Sequence, residues 1–205
     1  MSDDPLRPAK PRAGTLFRIL VIACGLAAIT AGIIQMKQGV GEIQGGADEE
    51  VKKLAQQSDA SAAEGDRLTQ EAAPLFKTVF ESVDKAGLEK ARAQNTDAAS
   101  KAAELFGKAS EQYRLAGQKL DEAIARHPGE RMKAFLDAKS RACKGLAEVR
   151  GINQELCRMF SDESIKTAAE LQPKLTEAVN RRNQAEQAAV VAAKEGDKIA
   201  AESKK

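Results

Sequence analysis

Tryptophan is absent from this chain, tyrosine occurs once, and aromatic residues make up only 3% of it. Sheets draw heavily on aromatic and β-branched side chains, and single-stranded nucleic acid is held by aromatic stacking beside clustered Lys and Arg. The scarcity argues against both. Charge of one sign is also missing. Thirty-two basic residues stand against 30 acidic ones, giving a net charge of +2 with the signs mixed along the chain, so no nucleic-acid partner is expected.

Histidine occurs once, at His127. The chain has no HExxH, no Cys/His spacing suited to zinc, no GxSxG elbow, no Walker loop and no glycine-rich dinucleotide turn. The acidic clusters Asp48-Glu49-Glu50 and Asp162-Glu163, with Glu170 downstream, lie at expected helix starts, where carboxylates serve the positive end of the dipole. No catalytic residues, metal or cofactor are expected, and the chain does not read as an enzyme. Three cysteines are too few for a disulfide scaffold. On one continuous helix Cys143 and Cys157 would stand about 21 Å apart and could not be bridged. They could pair only if the chain turned back near Arg150-Gly151-Ile152-Asn153; otherwise they read as small packing residues.

What the chain does have begins with an apolar stretch. From Ile19 to Ile34 nothing is charged, and Leu16, Phe17 and Arg18 extend the run at its front. A bilayer-spanning helix needs roughly 20 largely apolar residues. Residues 16–36 are therefore expected to form one transmembrane helix. A cleaved signal would place small residues at its cleavage site before a polar mature start, and no clear A-x-A site separates the two here. Val21-Ile22-Ala23-Cys24 looks like a lipoprotein cleavage box, but Cys24 lies in the middle of the apolar run. An uncleaved signal-anchor is the expectation. Arg7, Lys10, Arg12 and Arg18 precede the span and Lys37 alone comes closely after it. That bias favours a cytoplasmic N-terminus and an extracytoplasmic body at a plasma or bacterial inner membrane. Cys24, Ala28 and Gly32 recur every four residues, a spacing that lets two spanning helices approach closely. Residues 1–15, with Pro5, Pro8 and Pro11, read as a disordered basic tail, and 37–47, with four glycines, as a flexible neck.

Beyond the neck the composition is that of long helices, rich in Ala, Glu, Lys, Leu, Arg and Gln. The expected fold is all-α: an elongated antiparallel bundle of three or four helices with coiled-coil-like seams over 48–205. The first helix is expected over about 48–93, kinked near Pro74 and closed by Gly87 and Gln94-Asn95-Thr96, with Thr96 capping the second helix. Its seam (Val51, Leu54, Leu68, Ala72, Leu75, Val79) has weak points at Ser58, Ser61 and Gly65. The second, over 97–127, has the clearest period: Ala102, Ala109, Ala116 and Ala123 hold one heptad position, and Phe106, Tyr113 and Leu120 the other. His127-Pro128-Gly129 ends it.

The third, over 130–160, runs through Phe135, Ala142, Leu146, Val149, Leu156 and Phe160, interrupted by Lys139 and Asn153, which can fix register. The fourth, over 162–202, starts at the capping cluster Ser161-Asp162-Glu163-Ser164 and carries Leu171, Leu175, Ala178, Arg182, Ala185 and Ala189, with a kink expected at Pro173. Arg182 falls on this seam and is expected to snorkel to water. Ala188-Ala189-Val190-Val191-Ala192-Ala193 offers more small apolar surface than one seam needs, suited to oligomerisation, partner docking or deeper burial. The function expected is a single-pass, membrane-anchored helical scaffold or adaptor that docks protein partners, with homo-oligomers as one option. The alternative is an extracytoplasmic ligand-sensing bundle that signals through a partner.

Overall fold

Asp48 opens the first helix by accepting a hydrogen bond from the Glu50 amide, and Glu49 and Glu50 occupy the positive first turn. From there a computed structural model describes residues 48–202. The tail over 1–15, the expected span over 16–36 with Cys24, Ala28 and Gly32, and the neck over 37–47 all lie outside the described residues, as do residues 203–205. Among the described residues there are four helices and no strand: α1 (Glu49–Ala86), α2 (Leu88–Ile124), α3 (Glu130–Ser161) and α4 (Ala168–Glu202). None of these helices is long and apolar enough to cross a membrane.

The first turn is a single residue. Gly87 adopts φ 80° and ψ 163°, a backbone region that only glycine enters cheaply. Its amide donates to the Val83 carbonyl at 2.9 Å, and its carbonyl accepts from the Ala91 amide at 3.0 Å. It closes α1 and starts α2 at once. The boundary expected at residues 93–97 is therefore corrected. Asn95 and Thr96 lie inside α2, where their side chains bond back to the Ala91 and Arg92 carbonyls at 3.1 and 2.7 Å and leave the helix unbroken. The buried seam already runs through Leu88 and Ala91, so packing carries α2 through the polar stretch.

α2 ends shortly before His127, which takes φ 53° ahead of Pro128 and lies exposed in the turn. The start of α4 is also corrected. Asp162 accepts from the Ser164 amide at 2.9 Å and shapes a loop, rather than capping a helix at 162. The true cap is Thr167, whose hydroxyl accepts from the Glu170 amide at 3.2 Å while the Glu170 carboxylate accepts from the Lys166 amide at 2.8 Å. This reciprocal arrangement resembles a capping box. Pro74 and Pro173 both lie inside continuous helices.

Inter-helix bonds set the directions. Arg126, past the end of α2, pairs with Glu50 at the start of α1; Arg92, near the start of α2, reaches Phe160 at the end of α3; Arg131, at the start of α3, reaches Ile199 near the end of α4. The helices run up and down in turn. At about 1.5 Å per residue they are rods of roughly 48 to 57 Å. Extensive close backbone approach joins α1 to α2, α2 to α3 and α3 to α4.

The core falls into two main apolar clusters. One holds Phe76, Phe80, Phe106 and Phe160, with Phe76 edge-on to Phe106 at 5.5 Å and Phe80 edge-on to Phe160 at 6.2 Å. The other, toward the Asp48 end, holds Val51, Tyr113, Leu120, Phe135 and Leu146. In α1 the core position is Phe76, with Leu75 half-buried beside it, one residue on from the expected seam. Cys143 and Cys157 are both buried in α3, which runs unbroken through 150–153, so about 21 Å of helix separates them and no disulfide joins them.

Candidate functional site

Ala102, Phe106, Ala109, Tyr113, Ala116, Leu120 and Ala123 in α2, Phe135, Ala142, Leu146, Val149, Leu156 and Phe160 in α3, and Leu171 and Leu175 in α4 are buried, whereas His127, which continues the spacing of the second seam, is exposed beyond the helix end. The chemically distinctive feature is what lies beside them. Six charged side chains are drawn inward from α1, α3 and α4, and the hydroxyl of Tyr113 joins them from α2.

Lys139 of α3 is only 1% exposed and its ammonium pairs with Asp59 of α1. Further along α1, Gly65 leaves room for the Tyr113 ring. A Cβ at Gly65 would come within 3.0 Å of Tyr113 Cε2. That close approach lets the Tyr113 hydroxyl donate to the buried Asp66 carboxylate. The Arg150 guanidinium of α3 stands 5.9 Å from the centroid of the same ring. Arg182 of α4 donates from Nε to Asn153 Oδ1 at 2.9 Å and faces Glu186 at 3.3 Å.

The expectation that Arg182 would snorkel is thus overturned. It is 5% exposed and turned into the core, because Asn153 offers an acceptor on the facing helix and Glu186, one turn on, supplies the opposite charge. Asn153 and Lys139, the two interruptions read in the α3 seam, each face a partner on another helix.

The layer is electrically balanced: Asp59, Asp66 and Glu186 against Lys139, Arg150 and Arg182. Buried charges of one sign would be expelled or neutralised, whereas matched pairs can stay. Burial pushes the Tyr113 hydroxyl above its ordinary range, with Arg150 pulling the other way and Asp66 reinforcing the rise. Burial also raises the Glu186 carboxyl, opposed by Arg182 and Arg150. The Cys143 thiol is pushed up to about 12, chiefly by burial. It stays protonated at neutral pH and makes a poor nucleophile. Arg150 Nε and Ser58 Oγ are buried without a hydrogen-bond partner.

Among the described residues no group of His, Cys, Asp and Glu could hold a metal ion. His127 lies exposed in the α2–α3 turn, outside this layer. An open groove of about 520 Å³ lies along α2 and α3, its lining including Ala99, Ala103, Gly107, Lys108, Gln154 and Arg158.

Sequence reasoning missed Asp59, Asp66, Arg150 and Glu186. Each sits next to a seam position or one turn from one, where a charged residue ordinarily points to water. The usable signal was the seam's own weakness: Ser58 and Gly65 in α1, Lys139 and Asn153 in α3 and Arg182 in α4 mark where the apolar faces are thin. Comparison with protein-family models, with curated proteins and with solved structures finds no match to this chain.

Proposed function

We propose that this chain is a single-pass, membrane-anchored helical scaffold, held by residues 16–36 and presenting the bundle as a rigid, non-enzymatic body. The observation that carries this reading is the joint one of a long apolar run in the sequence and a bundle that pairs Lys139 with Asp59, Asp66 with Tyr113, and Arg182 with Asn153 and Glu186 in its interior. A matched layer specifies which helix sits against which, and in what register, better than an apolar seam that can slide. The chain enters the bundle at Asp48, at the same end as the α2–α3 turn and the end of α4, so the body stands off its tether end-on.

The docking mode expected from the sequence needs refinement. The seams are used within the chain, and Val191, 64% exposed, is the one large hydrophobic side chain exposed among the described residues. Partners are then met by the polar outer faces. Carbonate washing of membranes tests the anchor: the full chain stays in the pellet, and its release sinks the reading. Cross-linking in solubilised membranes followed by co-purification tests the scaffold, which predicts a recurrent protein partner. Orientation is read by labelling an introduced Ala188→Cys, an exposed position, with a membrane-impermeant reagent on intact cells, because Cys143 and Cys157 are buried. The N-in orientation predicts labelling.

The alternative, an extracytoplasmic ligand-sensing bundle, draws support from Arg150, whose buried Nε has no hydrogen-bond partner in the layer. A sensor predicts a rise in melting temperature with a metabolite pool, lost in Arg150→Met. No shift with any pool leaves the scaffold.

A further inference from the structure

We propose that residues 183–202 form a detachable arm: this part of α4 leaves α3 while the rest of the bundle stays packed. The buried face of α4 changes character part-way along. Leu171, Leu175 and Val179 join the phenylalanine-containing cluster. Arg181 and Arg182 then fasten the helix to α3, the first donating to both Glu155 carboxylate oxygens at 2.7 and 2.8 Å, the second to Asn153 at 2.9 Å. Beyond that point the buried side chains are Ala185, Glu186, Ala189, Ala192 and Ala193, with Gly196.

Each buried alanine withdraws one methyl group from water, where a leucine withdraws a whole side chain, so this half holds on by far less apolar burial per turn. Glu186 adds little to the attachment: it is removed from water, and its 3.3 Å ion pair is to Arg182 of the same helix. Other ties include the partly buried Ile199 and Ala200 packed against the second apolar cluster, the attraction of Arg150 for Glu186, an Arg141–Glu195 ion pair with both side chains about half exposed, and a long 3.5 Å contact from Arg131 to the Ile199 carbonyl. Surface pairs of this kind add little.

What the arm has is fit. Gly145 lets it lie so close that a Cβ there would fall 2.9 Å from the Ala189 Cβ and 3.3 Å from the Ala185 carbonyl. The released segment loses the packing that stabilises it, and a lone helix of about 20 residues is marginal in water, so its amide hydrogen bonds open and exchange once it leaves α3. Segments with few buried apolar contacts open below the free energy of global unfolding, and they are the ones available to conformational switching.

Hydrogen exchange on the full chain in detergent, read by mass spectrometry, tests this. Peptides within 183–202 should exchange about ten-fold or more faster than peptides from α2, α3 and residues 168–179 of the same helix, with a step near 182. Gly145→Ala should speed the arm further and leave α1 and α2 unchanged. The proposal fails if the arm exchanges with the first half of α4, if rates rise smoothly toward the C-terminus without a step, or if Gly145→Ala accelerates all four helices together. The unsubstituted chain decides the matter alone should the variant not fold.

Discussion

Arg92 holds together one end of the bundle, and removing it should be felt far along the chain. From the second turn of α2 its guanidinium donates from Nε to the Phe160 carbonyl at 2.5 Å, from one terminal nitrogen to the Ile165 carbonyl at 2.5 Å, and from the other to the Asp162 carbonyl at 2.8 Å. The Phe160 carbonyl belongs to the last turn of α3, beyond which the helix offers no further donor. The other two carbonyls lie in the loop that delivers Ile165 to the core.

Hydrogen bonds to a charged group are worth about 1.5 to 3 kcal/mol each. The site is only half-buried, however, and water can reach some of these carbonyls once the guanidinium is gone. Arg92→Ala should therefore cost roughly 2 to 4 kcal/mol, well under the sum of three such bonds. For a domain of this size each kcal/mol moves the melting temperature by about 2 to 4 °C. A fall of roughly 5 to 15 °C is expected when helicity is monitored on heating the full chain in detergent. Arg92→Lys keeps the charge but loses the planar fork, so it should recover only about a third of that loss. A melting temperature for Arg92→Ala within about 1 °C of the parent would refute the reasoning. So would Lys behaving as well as Arg, since three-way recognition by a fork would then be irrelevant.

The core carries three further predictions. Gly65→Ala should cost about 1 to 3 kcal/mol, because its Cβ meets the buried Tyr113 ring at 3.0 Å, whereas Gly107→Ala should be neutral or stabilising, because its Cβ meets only the movable amide of Gln154 and alanine favours the helix; thermal melts that rank the two the other way would count against this packing. Asp59→Ala strands the buried Lys139 charge and should cost about 3 to 5 kcal/mol, while Lys139→Met, which leaves Asp59 partly open to water, should be near neutral, as should the double substitution; equal losses for both single variants would contradict this. Glu186, raised by burial above its ordinary 4.5, is protonated in the native state before it is in the unfolded chain as pH falls. In the window above 4.5 the native state binds the extra proton, so stability gained through this group rises as pH falls through its folded pKa and levels off below 4.5. Glu186→Gln should remove that component, seen as a smaller change in melting temperature between about pH 5 and about pH 7; an unchanged slope would mean the group titrates normally.

The all-helical character and the faces of the helices were legible in the amino-acid order. Alternating steps of three and four put Ala102 through Ala123 and Phe135 through Phe160 on one face of each helix, and the seam residues named from that period in these two helices are buried. Periodicity reports burial because a helix repeats its neighbours every three to four residues whatever it packs against. Ends were less legible. Gln94-Asn95-Thr96 has the composition of a break, yet α2 runs through it, since a polar side chain that bonds its own helix costs little once Leu88 and Ala91 are packed.

The buried polar layer was decided by tertiary structure alone. Whether Arg182 reaches water or Asn153, and whether Asp66 meets solvent or the Tyr113 hydroxyl, depends on which helix faces which and at what height. Local sequence carries the cost of burying a charge but not the position of the cross-helix partner that offsets it. Asp66 finds the Tyr113 hydroxyl 47 residues away, Lys139 finds Asp59 80 away and Arg182 finds Asn153 29 away, and these meetings exist only once the four rods have taken their register.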